Sequence, residues 1–182
     1  RAIICACYKW QHEAKVHSLQ WDKNQSDKQL VKDMISVILE ADEVVAQNGD
    51  KFDWPWLRTR FLFHGGNALP KIKTVDTLQW AKRNLYFNSN KLDYMASYLG
   101  IGNKLHTEFG LWKEIVLNKD KKAMATMLDY CKHDVVLLQK VWERLQMIVP
   151  VKTNQAVSDR VAHWQCPRCS SENVQSRGKG VT

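Results

Sequence analysis

Long apolar runs are missing from this chain: nothing in its 182 residues approaches the roughly 18 consecutive apolar positions that a membrane-crossing helix needs. The start has no basic segment leading into an apolar stretch and a small-residue cleavage pattern either. No membrane attachment is expected. Cysteine is scarce and odd in number, at five. Cys5 and Cys7 would project from one face of a strand, which argues against a disulfide framework and for a reducing cytoplasm. Internal repeats and long low-complexity segments are absent. A smaller gap matters more: no Asp is followed two positions later by a Glu. Residues i and i+2 share a strand face, so no strand here presents that carboxylate pair side by side.

What is present leans basic. Lys and Arg number 27 against 19 Asp and Glu, a formal net charge of +8. This favours a polyanionic partner, because clustered cations release counterions from a phosphate backbone. The length suffices for one well-formed core and not for two full-sized domains. The chain opens at Arg1 straight into the strand-like Ala-Ile-Ile-Cys-Ala-Cys-Tyr run and closes soon after a single Cys-x-x-Cys. It therefore reads as a fragment carrying one globular domain and a tail.

Periodicity supplies the elements. Residues 2 to 8 and 15 to 20 predict a hairpin turning near Gln11-His-Glu13. Leu30, Val31, Met34, Ile35, Ile38 and Leu39 recur at helical spacing, with Asp27 as the expected cap. Val44-Val45-Ala46 reads as a buried strand broken by Asn48-Gly49. Asp53 with Pro55 starts a helix whose inner stripe is Trp54, Leu57 and Phe61. A strand near 72–75 leads into a helix to about Asn84, and a short helix carrying Leu92, Met95, Ala96 and Leu99 stops at Gly100. A turn of helix is expected around Leu111–Glu114, and from about Asp120 to Ile148 two helical segments meet near Tyr130. Strands first and helices interleaved later predict an α/β domain with a mixed sheet.

Two motifs carry chemistry. Tyr130, Asp134, Leu138, Val141, Trp142 and Leu145 follow at three- and four-residue steps, so a carboxylate sits on an apolar helix face. An inward Asp needs a cation, strong donors or a raised pKa. Capping of the final helix is the plain alternative for Asp134, and capping is equally open for Asp53. Asn48 can fix the turn before Asp53, and Phe52 can anchor it in the core, so that Asp53 is aimed.

Asn48-x-x-x-Phe52-Asp53 and Tyr130-x-x-x-Asp134 resemble the second and third motifs of the DEDD superfamily of 3′ to 5′ exonucleases, in its tyrosine subclass. Phe-Asp-Trp-Pro-Trp-Leu, Val75-Asp-Thr-Leu78 and Lys91-Leu-Asp-Tyr-Met-Ala-Ser-Tyr-Leu-Gly100 are similar too. The resemblance is strongest to the phage and bacterial group related to polymerase proofreading domains, and it spans roughly residues 1 to 148. It implies a ribonuclease-H-like fold over residues 1–149 with the first strand missing; the polar, aperiodic stretch at 150–163 reads as a linker and the compositionally distinct 164–182 as a tail. It also implies metal ligation by Asp53 and Asp134, with Tyr130 orienting the attacking water and Asn48 and Phe52 in support. Asp76 is expected to be a helix cap or a group supporting the site.

Two Mg²⁺ or Mn²⁺ ions are the implied cofactors, since hard oxygen donors suit them and two ions can clamp a reacting phosphodiester. The family's Asp-x-Glu is absent, so weak metal binding and little turnover are expected of this chain as it stands. Cys166 and Cys169 have knuckle spacing for half of a Zn²⁺ site, and the resemblance implies a partial zinc ribbon. Free thiols in an unstructured tail are the alternative. Lys51 and Arg58, with Arg60, flank Asp53 as candidates for backbone contact, and Trp54 and Trp56 could stack on an end base. Nucleic acid, DNA before RNA, is the expected partner. A catalytically degenerate nucleic-acid-binding module and a zinc-ribbon interaction protein remain as other readings.

Overall fold

Apolar residues after Ala2 form strand β1 (Cys5–Tyr8), which pairs antiparallel with β2 (His17–Gln20) in the register Cys5 with Gln20 and Tyr8 with His17. The computed structural model describes residues 2–69, 72–105, 110–148 and 172–173. The chain divides into a unit of residues 1–147 and a second of residues 148–182. The linker expected at 150–163 and both cysteines of the tail, Cys166 and Cys169, lie outside the described residues.

Helix α1 (Lys28–Glu40) follows the predicted stripe: Leu30, Val31, Ile35 and Ile38 are buried, while Leu39 is exposed. Strand β3 (Val44–Ala46) pairs in parallel with β4 (Thr74–Asp76), and helix α2 (Asp53–Phe63) lies between them in sequence. Trp54 and Leu57 of α2 join the α1 residues in one apolar cluster, with Phe61 packed against it. Helices α3 (Thr77–Asn84), α4 (Leu92–Tyr98) and α5 (Gly110–Leu117) lead to α6 (Lys121–Gln146). Gly100 ends α4 at φ +67, and the following Ile101 N–H returns to Ala96 O, the left-handed stop that a side chain would strain.

The α/β class stands, with corrections inside it. Among the described residues the strands form two separate pairs, one antiparallel and one parallel, rather than one mixed sheet. The strands are only three or four residues long, and the Ile3 N–H goes to the Asp27 carboxylate instead of extending a ladder. That bond also corrects Asp27, whose side chain does not cap α1. It is fully buried and bound by Arg60 and His64 as well. Helix α6 runs unbroken through Tyr130, because Met127, Leu137, Val141 and Leu145 keep one buried face along its whole length. Each such side chain contributes roughly 1.5–3 kcal/mol by leaving water. Asp120 caps this helix through the Lys122 and Ala123 amides.

Candidate active site

Asp134 lies in the middle of α6, which removes helix capping as its role. Its Oδ2 accepts from Lys104 Nζ at 2.5 Å, and the same ammonium donates to Tyr130 Oη at 3.2 Å. Lys104 also stands 5.4 Å from the centre of the Tyr130 ring. The remaining oxygen, Oδ1, is buried and accepts no hydrogen bond from the described residues. A buried carboxylate oxygen without a donor is costly, so this atom calls for a donor or a cation. Sequence reasoning missed Lys104. It lies in an irregular stretch, and only the fold carries it 30 positions along the chain to Asp134.

The peptide group between Asn103 and Lys104 is tied down at both its polar atoms. Its backbone N–H donates to Asp93 Oδ1 at 2.7 Å, and the Asn103 carbonyl lies 2.9 Å from His133 Nε2. Burial would lower the Lys104 pKa, but its bonds to Asp134 and Tyr130 outweigh that and raise it, so the group is a cation.

Asp53 opens α2 after a turn built on the neighbouring strand end. Asn48 takes φ 61, a left-handed conformation that Asn tolerates, and its backbone N–H donates to Asp76 Oδ1 at 3.0 Å. The Asp50 N–H reaches Asp76 Oδ2 at 3.3 Å. Asp76 also caps α3 through the Leu78 and Gln79 amides, so it both caps a helix and supports the turn. At Gly49 an added Cβ would fall 2.5 Å from the Ala46 Cβ, and Asp53 Oδ2 lies 3.7 Å from that position. Close approach of strand and turn therefore requires glycine there.

Asp53 is exposed as a residue, yet protein crowds its carboxyl enough that withdrawal from water is the leading influence and raises its pKa. Its own backbone N–H acts the other way, and the negative charges of Cys131 and Asp76 add to the rise. Cys131, one residue after Tyr130 on α6, also feels the Lys104 charge. Interaction among Cys5, Cys7 and Cys131 pushes the first two thiols up and Cys131 down. The structure thus joins Asp134, Tyr130 and Lys104 directly.

Two expectations around Asp53 change. Phe52 is 58% exposed and does not anchor the turn in the core; it follows Asn48 out of the turn onto the surface, where Lys51, Phe52, Pro55, Trp56 and Thr59 line a cavity of about 220 Å³. Trp54 is only 6% exposed and packs with α1, so its indole contributes to the core and is not open for base stacking. Arg58 is exposed, with its guanidinium 5.2 Å from the Trp54 ring centre. Arg60 is committed to Asp27 and is not free for phosphate.

Asp53 and Asp134 offer the hard oxygen donors that Mg²⁺ or Mn²⁺ takes, and the bare Asp134 Oδ1 fits a ligand role. They are a partial set. Among the described residues, no group of three or more His, Cys, Asp or Glu side chains is arranged to hold a metal ion. No described helix is long and apolar enough to cross a membrane.

Among curated proteins no sequence matches the chain. The family model of the RNase_H superfamily matches residues 2–146, a span that contains both acidic motifs, Tyr130 and Lys104. With that match over most of its length, the chain belongs to the RNase H superfamily, whose members' nuclease chemistry on nucleic acid agrees with the carboxylates found here.

Proposed function

We propose that this chain is the nuclease domain of a metal-dependent 3′ to 5′ exonuclease acting on DNA in preference to RNA. The observation that carries the reading is the α6 arrangement, in which Tyr130 and Asp134 meet at one ammonium while a buried oxygen of Asp134 has no donor among the described residues. Asp134 and Asp53 would hold Mg²⁺ or Mn²⁺, which when bound lowers the pKa of water and neutralises charge on the phosphate. Tyr130 has its oxygen engaged by Lys104, so its O–H proton is free to donate to a water or a phosphate oxygen. The water oxygen forms the new bond to phosphorus as its proton leaves to solvent, and the P–O3′ bond breaks with the 3′ oxygen taking up a proton from solvent. A 5′-mononucleotide departs, and the shortened strand keeps a 3′ hydroxyl.

Lys51, Phe52, Trp56 and Arg58 supply the accessible cations and aromatic faces near Asp53 that a strand end would meet. The Cys166–Cys169 pair is proposed as half of a zinc knuckle. The test is digestion of 5′-labelled DNA and RNA strands by the full-length protein with Mg²⁺ or Mn²⁺. Asp53→Ala and Asp134→Ala should each abolish stepwise shortening from the 3′ end. Unchanged digestion by either variant refutes the assignment.

A second reading, a nucleic-acid-binding module without catalysis, is favoured by the missing Asp-x-Glu and by the partial ligand set among the described residues. Strand binding by the full-length protein without any metal-dependent digestion would select it.

A further inference from the structure

We propose that Lys104 is the internal counter-ion of this acidic site, competing with the divalent cation for Asp134. The inference rests on the proposed metal-dependent function and concerns how the metal gains entry.

Three observations carry it. The first is that the ammonium meets Asp134 Oδ2 at 2.5 Å, a charge-assisted contact on one of the two carboxylates that the proposed metal would need. The second is placement. The Lys104 and Asp134 side chains are 29% and 22% exposed, so solvent screens the pair less than it screens surface pairs. The third is that Lys104 is not a long side chain that happened to reach a carboxylate. Asp93 holds its backbone N–H, the preceding carbonyl is held at His133 on α6, and the Tyr130 ring and hydroxyl line its approach.

A divalent ion that binds Asp134 through both oxygens must displace the ammonium, and one that binds through Oδ1 alone must tolerate it as a like-charged neighbour. In either geometry Lys104 weakens metal binding. In exchange it keeps a part-buried carboxylate charged and oriented while no metal is present, where an unpaired one would be costly. It also ties Tyr130 Oη and Asp134 Oδ2 to one ammonium. Lys104 is therefore a positioning residue with a built-in cost to metal affinity, and metal should bind less tightly than the carboxylates alone would allow.

The experiment is Mn²⁺ titration of the full-length protein without nucleic acid, read by the electron paramagnetic resonance signal of free Mn²⁺. Lys104→Met and Lys104→Gln should each tighten Mn²⁺ binding by roughly tenfold or more, the scale on which one adjacent charge shifts a carboxylate equilibrium. Lys104→Arg keeps the charge and should stay close to the parent affinity. Adding Asp134→Asn to Lys104→Met should cancel the gain. A merely structural lysine would give the reverse order, with arginine and the neutral variants all weakening the site.

Equal or weaker binding by both neutral variants overturns the proposal while leaving the metal site standing. A gain that survives Asp134→Asn also overturns it, because the competition would not be at Asp134. Absence of Mn²⁺ binding in every variant, the parent included, overturns the metal-site reading and this inference together.

Discussion

Arg60 closes on Asp27 with two nitrogens, Nε on Oδ2 and Nη2 on Oδ1, each at 2.7 Å. The carboxylate is fully buried and also bound by the Ile3 N–H and by His64 Nε2, so this cluster fastens the first residues of the hairpin to α2. The energetic weight lies in what is left when one partner goes. Arg60→Ala strands a buried anion and should destabilise the domain by roughly 3–5 kcal/mol, measured by urea unfolding.

The same cluster gives a pH dependence. Burial alone would raise the Asp27 pKa, but its bonds to Arg60, Ile3 and His64 override this and hold it well below the usual carboxylate range. A depressed folded-state pKa means the contribution is complete above the unfolded value near 4 and is lost as pH falls from there toward the folded value. Stability of the parent should decline below about pH 4 more steeply than that of Asp27→Asn. Parallel curves for the two proteins would contradict this.

Asp76 answers four backbone amides, two in the turn before Asp53 and two at the start of α3. Asp76→Ala leaves all four without that partner, and the loss should be about 2–4 kcal/mol. Asp76→Asn, which keeps one accepting oxygen, should lose less. In the full-length nuclease the Ala change should also depress activity, since the turn it holds sets the direction of Asp53. Retained stability in Asp76→Ala would show that the turn is held by other contacts.

Tyr130→Phe separates chemistry from folding. The ring stays packed against the cluster containing Ile4, Ile115 and Met127, and only the hydroxyl bond to Lys104 is lost. The melting temperature should change by no more than a few degrees. The turnover rate of the full-length enzyme should fall about 10²-fold or more if the phenol assists proton movement at the reacting phosphate. A parent-like turnover would leave the tyrosine with a packing role only.

Much of the frame was legible because it depends on local repetition. The α1 stripe, the hairpin, the strand of three valine and alanine residues, the Gly100 stop and the α2 start all follow from spacing and turn chemistry. Continuity of α6 was not legible, since nothing local distinguishes one long helix from two that meet at Tyr130. The buried face running to Leu145 decides it. Phe52 was misplaced for a related reason: of two aromatics flanking Asp53, Trp54 takes the inner stripe expected of it, and that Phe52 stays outside depends on where α1 lies.

The sequence by itself determined the fold class, the order of the elements and the two acidic motifs, because helix and strand periods and turn residues act over a few positions. Only tertiary structure decided that Asp27 is a buried anchor, that Asp76 braces the turn before Asp53, and that Lys104 stands against Asp134. Charges far apart in the chain find one another through packing of the elements that carry them. No spacing rule encodes that distance.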